Sequence, residues 1–214
     1  EYVSSLIYKN KPSAESLELA ILAARFDFFV ESFRNQKIYV EANNRITFFA
    51  SSLAKLLPNS KFIHLVRHPA EFVRSGMRRG YYSASAVQHQ RLCPRDNQEW
   101  KSMNRLEKIA WEWNEINLSI EGFKDNLGDR DRVITILSND LFTDLLTTHG
   151  LFKSLGLRNP YSSKSGKKIL NALLQTKVNA QTTGKFPHFI DWSDEDKDSL
   201  NRIATLAPTY NFQL

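Results

Sequence analysis

The chemistry in this chain starts at an arginine that ends an apolar run. Phe62-Ile63-His64-Leu65-Val66 leads straight into Arg67, with Pro69 two residues on. A guanidinium is permanently charged, and its planar fork matches phosphate or carboxylate. A helix opening at proline aims its free backbone N–H groups toward the same place. Ser75, two turns into that helix, brings a hydroxyl to the same anion. Arg67, helix start and Ser75 thus make an oxyanion site, although an arginine taken alone is as readily a structural ion-pair partner. Gly184-Lys185 is a glycine-basic pair able to fold over such a site. Glu41, with Asn43 and Asn44 after it, offers a carboxylate that partial burial would raise in pKa, as a general base requires. Arg74, Arg78 and Arg79 read as a solvated face or as a basic rim that attracts anions.

These side chains need elements to hold them. Leu17, Ile21, Ala24, Phe28 and Val30 recur at helical spacing behind a Ser13 cap, which predicts a helix to about Phe33. Residues 38 to 41 are β-branched and aromatic and stop at Asn43-Asn44, so they read as a short strand. Ile46, Phe49, Leu53, Leu56 and Leu57 trace a second helix, stopped by Pro58. Strands follow at 62 to 66 and 133 to 137, both of the buried parallel type. Between them stand a helix from Pro69 to Gly80, a mixed loop over 81 to 98 and the strongest helical stripe of the chain, Leu106 to Ile120. His64 reads as a core residue and His68 as a helix cap. Tyr81, Tyr82, His89 and Trp100 line an acceptor pocket or pack on the core. Leu145 to Leu155 is helical, 164 to 181 is basic and weakly helical, and Ser193 caps a last helix. Strands alternating with helices predict a single α/β domain with a parallel sheet. Ligands of such sheets sit at the carboxyl ends of the strands, which adds Ser138, Asn139 and Asp140 to the residues at that edge.

Composition narrows the class. With 214 residues and 29 basic against 23 acidic side chains, the chain is a net cation of +6, and it favours anionic ligands. No apolar run reaches the ~18 residues of a membrane span. A single cysteine, Cys93, supports neither a disulfide scaffold nor a zinc module, and it reads as a free thiol of a reducing, cytoplasmic setting. No residue cluster calls for a metal. The basic residues are spread along the chain without a nucleic-acid module, so nucleic acid is a poor candidate partner.

The segment from Lys61 to Gly80 resembles the 3′-phosphate-binding segment of sulfotransferases that use 3′-phosphoadenosine 5′-phosphosulfate (PAPS). In that family a strand ends in arginine, proline follows two residues later and serine eight residues later, as Arg67, Pro69 and Ser75 do here. Pro58 to Ile63 is similar to the family's lead-in. Val133 to Leu141 with Leu151 to Leu157 is similar to its later strand, acidic turn and helix. Thr183-Gly184-Lys185 with Pro187 is similar to the loop that closes over the nucleotide. The resemblance covers about Tyr39 to the end. It implies a three-layer P-loop-type fold, a central parallel sheet flanked by helices, with PAPS as sulfuryl donor. The cofactor would be held by Arg67, Ser75, Gly184 and Lys185, and the acceptor would be a small molecule or carbohydrate bearing a hydroxyl or amine. Two features depart from the family. The glycine-rich Thr-Thr loop for the 5′-phosphosulfate is absent from these residues, and the family's pattern would place it, with its strand and helix, upstream of Glu1. Where relatives carry Lys-Thr-His, this chain has Ala42-Asn43-Asn44, which leaves Glu41 as the candidate base. The other reading is a noncatalytic binder of phosphorylated ligands or nucleic acid on the same fold. The resemblance names no acceptor and no oligomeric state.

Overall fold

The structure is a computed structural model and describes residues 2–83, 91–94, 97–176 and 184–214. Its elements run α1 (Tyr2–Asn10), α2 (Ala14–Arg34), α3 (Ala50–Leu56), β1 (Phe62–Val66), α4 (Pro69–Arg78), α5 (Gln98–Ser102) and α6 (Arg105–Asn126). They continue with β2 (Val133–Leu137), α7 (Ser138–Thr143), α8 (Leu145–Ser154), α9 (Lys164–Gln175) and α10 (Asp194–Ile203). The chain is mostly helical around a small parallel sheet, an α/β arrangement. β1 and β2 pair in register from Phe62↔Val133 to Val66↔Leu137, so both carboxyl ends reach one edge together. The register lets Arg132 tie the strand starts together. Its guanidinium donates to the Ser60 carbonyl at 2.9 Å and to the Leu57 carbonyl at 3.2 Å, closing the end of α3 beside the Pro58-Asn59-Ser60 turn.

The expected third strand is not there. Residues 38–41 are irregular, and among the described residues the sheet has the two strands β1 and β2. The side chains explain why. The Tyr39 ring lies edge-on to Phe29 of α2 at 5.0 Å, and Glu41 is bonded to Arg25 of α2, so this stretch docks along a helix instead of beside β1. A β-branched composition fits a pleated, half-buried surface, but it does not choose the neighbour.

The core lies on one side of the sheet. Val66, Ala70 and Val73 of β1 and α4 pack on Leu106, Ile109, Ala110 and Trp113 of α6, and Leu200, Ile203, Ala204, Ala207 and Tyr210 close the layer from the C-terminal segment. α6 is started by a reciprocal cap, in which Asn104 accepts from the Glu107 N–H and Glu107 accepts from the Asn104 N–H. Gly76 lets α4 and α6 approach closely, since a Cβ there would sit 2.9 Å from Ile109 Cγ2. Both His64 and the tyrosines of the 81–98 loop belong to this core. His64 is buried with Nε2 at 2.9 Å from Asn117 Oδ1. Tyr81 stacks under the Arg91 guanidinium at 3.5 Å, and the Tyr82 hydroxyl donates to the Leu92 carbonyl at 2.6 Å. His89 lies outside the described residues. Among the described residues no helix is long and apolar enough to cross a membrane.

Candidate functional site

Arg67 follows the last residue of β1, at the edge where Leu137 hands over to α7. Its backbone is fixed from behind, because the Trp113 indole N–H donates to the Arg67 carbonyl at 2.9 Å. His68 then caps α4: its Nδ1 accepts from the Ala70 N–H at 3.2 Å, and Pro69 occupies the first turn. The capping role requires a neutral imidazole, and burial lowers the His68 pKa in that direction. The helix therefore begins where the sequence places it, for the expected reasons: a preset φ at proline and an acceptor for an orphan N–H.

The exposed face of α4 carries most of the charge. Arg67, Glu71, Arg74 and Arg78 recur at i, i+4, i+7 and i+11, which stacks them along one side. Glu71 reaches Arg67 at 3.6 Å and Arg74 at 3.8 Å, distances long for an ion pair. Two guanidinium groups thus share one carboxylate. Burial disfavours the Arg67 charge, Glu71 supports it and Arg79 opposes it, and its pKa is lowered while the group stays ionised. Ser75 is half-buried beside Arg74.

The loop at 184–188 comes to the C-terminal half of this face. Arg78 Nε donates to the Gly184 carbonyl at 3.1 Å, and Arg74 lies 3.1 Å from His188 Nε2. Arg74, Arg78, Gly184, Lys185, Phe186 and Pro187 line an open cleft of about 390 Å³. Glycine is required at 184 on two counts: its φ is +73°, and a Cβ would lie 2.3 Å from the Arg78 carbonyl oxygen. Gly184→Ala is therefore expected to lift the loop from α4 and to cost more than about 1 kcal/mol. A thermal melt reads the loss, and limited proteolysis finds new cleavage around residue 184. Thr183 and Thr182 lie outside the described residues.

Of the expected site residues, Gly184 and Lys185 meet in the cleft against Arg74 and Arg78, whereas Arg67 stands before the opposite end of α4 and Ser75 within the helix, neither of them lining the cleft. Glu41 is placed elsewhere. Arg25 grips it through both oxygens, at 2.7 and 2.9 Å, and the Tyr39 hydroxyl donates to it at 2.6 Å. The Arg25 bond, with help from Tyr39 and Asn43 against the opposing effect of burial, lowers its pKa to about 2. Such a carboxylate is a weak proton acceptor. Residues Ser138, Asn139 and Asp140 reach the sheet edge as expected, but as the first turn of α7. Arg74 and Arg78 are cleft residues that composition left as a solvated face. Their spacing from Arg67 on one helix was the signal, and it gains meaning only once the 184–188 loop is seen to dock there.

Among the described residues no group of three or more His, Cys, Asp or Glu side chains could hold a metal ion. No protein-family model, no curated protein and no solved structure matches the chain.

Proposed function

We propose that this chain carries the 3′-phosphate end of the nucleotide site of a PAPS-dependent sulfotransferase, transferring a sulfuryl group to a hydroxyl or amine of a small-molecule or carbohydrate acceptor. The observation that supports it most is the junction of β1 and α4. A strand buried on one face only, with Ile63 and Leu65 exposed on the other, delivers Arg67 to the edge of a parallel sheet, a capped helix begins at once, and the arginine face of that helix meets a glycine-lysine loop. The three-layer P-loop-type fold belongs to the same proposal. A phosphate suits this cleft because Arg74, Arg78 and Lys185 line it, and the Glu71 carboxylate holds Arg74 only through a long 3.8 Å contact that an incoming anion displaces with little loss. When bound, PAPS supplies the sulfuryl group; the chain positions its 3′-end and lowers the local charge cost. Such transfer needs positioning and positive charge more than covalent help. Glu41 serves as the base in this reading only once Arg25 releases it.

Adenosine 3′,5′-bisphosphate is expected to bind more tightly than adenosine 5′-phosphate by calorimetry. Arg67→Ala removes most of that preference, since a charge-assisted contact is worth about 1.5–3 kcal/mol, roughly ten- to a hundredfold in affinity. Equal affinities for the two nucleotides sink the assignment. The engagement of Glu41 by Arg25 favours one second reading, a noncatalytic binder of phosphorylated ligands. Binding of the bisphosphate without sulfuryl transfer to any of a panel of phenols, alcohols and sugars would select it.

A further inference from the structure

Part of the basic stretch from 164 to 181 folds as α9, which takes no part in the arginine cleft. Ser163 caps it, and Gly166, Leu170 and the half-buried Leu174 recur at i, i+4 and i+8 on the row buried against the domain. Gly166 brings that row down onto the preceding turn, since a Cβ there would lie 2.7 Å from Tyr161 Cα. Turned away from the domain are three exposed rows: Lys164 with Lys168, Ser165 with Ala172, and Ile169 with Leu173. The outer half of the helix is thus cationic along one side and aliphatic along the other, with small side chains between them. Ile169 is 56% and Leu173 53% exposed. The charge around them is one-sided. From 145 to 190 the sequence holds seven lysines and arginines and no aspartate or glutamate, so this stretch carries more than the whole net charge of +6. Lys164, Lys167 and Lys168 are exposed and take part in no ion pair among the described residues.

We infer that the outer half of α9 docks on the surface of a membrane leaflet that bears anionic phospholipid. Ile169 and Leu173 dip into the acyl boundary while Lys164 and Lys168 snorkel to the headgroups, so the helix rests in the interface without spanning it. Both sides of the pattern are needed to select this partner. A nucleic-acid backbone would meet the lysines and leave Ile169 and Leu173 in water, and an apolar protein groove would take the aliphatic row and leave the lysines without counter-charge. A lipid surface offers phosphate charge and hydrocarbon side by side. The lack of acidic side chains from 145 to 190 removes the repulsion that an anionic surface exerts on a face of mixed charge. Each lysine held near such a surface contributes about fivefold in partition, and salt screens that part of the attraction. What the Arg67 site binds has no bearing on this surface.

Flotation with vesicles made of equal parts phosphatidylcholine and phosphatidylserine tests it. The chain is expected to float with them at low salt and to stay behind with phosphatidylcholine alone. Lys164→Ala with Lys168→Ala is expected to lower the partition about twenty-fivefold, and Ile169→Ser with Leu173→Ser about tenfold. Circular dichroism stays unchanged in both, because all four side chains are exposed. A second readout needs neither pair of changes: an environment-sensitive dye on Leu173→Cys, in a chain carrying Cys93→Ser, shifts to the blue on the mixed vesicles. A chain that does not float with the mixed vesicles overturns the inference. Flotation indifferent to the loss of Ile169 and Leu173, or a dye that stays in water, overturns it as well. A DNA duplex bound more tightly than the vesicles, and equally by the natural chain and the serine variant, replaces the membrane with nucleic acid.

Discussion

Replacing Arg91 by methionine is expected to cost about 3–5 kcal/mol of stability, the penalty for leaving a buried charge without its partner. Arg91 Nε donates to Glu112 at 3.0 Å, and both residues are buried between the segment that follows α4 and the middle of α6. Tyr81 lies beneath the guanidinium at 3.5 Å. Burial, the largest single effect, works against the Arg91 charge, but Glu112, Tyr81 and Tyr82 together outweigh it, so its pKa is raised. Taking the cation away strands Glu112 inside the core. For a chain of this length the loss corresponds to about 10 °C in Tm. The double variant Arg91→Met with Glu112→Leu removes both charges and is expected to recover most of the stability. Urea unfolding of the two singles and the double gives the coupling directly. Losses that simply add would show that the pair does not hold the segment to α6.

Acidification is expected to weaken the fold in two steps, of which His64 supplies the first. Burial, and then the Lys124 ammonium, lower its pKa from 6.5 to about 4, against the supporting Asn117 bond and the Glu121 carboxylate. Glu121 lies 3.8 Å from His64 Nδ1, which has no hydrogen-bond partner, while Tyr210 stands edge-on from the C-terminal segment at 5.7 Å. The folded state thus holds the imidazole proton more weakly than the unfolded chain does. Between pH 6.5 and about 4 the unfolded state binds more protons, so stability is full above this window and falls through it. A pKa gap of this size corresponds to a loss of about 3 kcal/mol once both forms are protonated. Glu41 acts below it: its depressed pKa stabilises the fold above the ordinary carboxylate value of 4.5, and that contribution is lost as pH falls toward 2. Unfolding free energies measured across pH 7 to 4 are expected to slope for the natural chain and to flatten for His64→Gln. An unchanged slope in that variant would assign the acid sensitivity to other groups.

The sequence by itself determined the elements whose cause is local. Ser13, Asn104 and Ser193 begin helices because a side-chain oxygen accepts an orphan N–H one turn on. Only two of these caps, Ser13 and Ser193, were read from the sequence. The strands at 62–66 and 133–137 were legible from dense apolar runs, and the Arg67-His68-Pro69 junction from residue types alone. Other features were decided by partners far away in the chain. Residues 38–41 have strand composition but lie along α2, because Tyr39 and Glu41 find Phe29 and Arg25 there. That same bond turned the candidate base into a strongly acidic carboxylate, which no count of neighbours in the sequence could reveal. α1, a short helix of nine residues, passed unread; it is held by distant contacts such as the Tyr8 hydroxyl donating to Glu115 at 2.7 Å. The cleft likewise exists only in three dimensions. Arg74 and Arg78 look like any solvated helix face until Gly184, free of a Cβ, brings its loop against the Arg78 backbone. Caps and periodicity act within a few residues and are written in the order of the chain. Ion pairs, close backbone approaches and pKa shifts depend on which distant surfaces meet, and only the tertiary structure decides that.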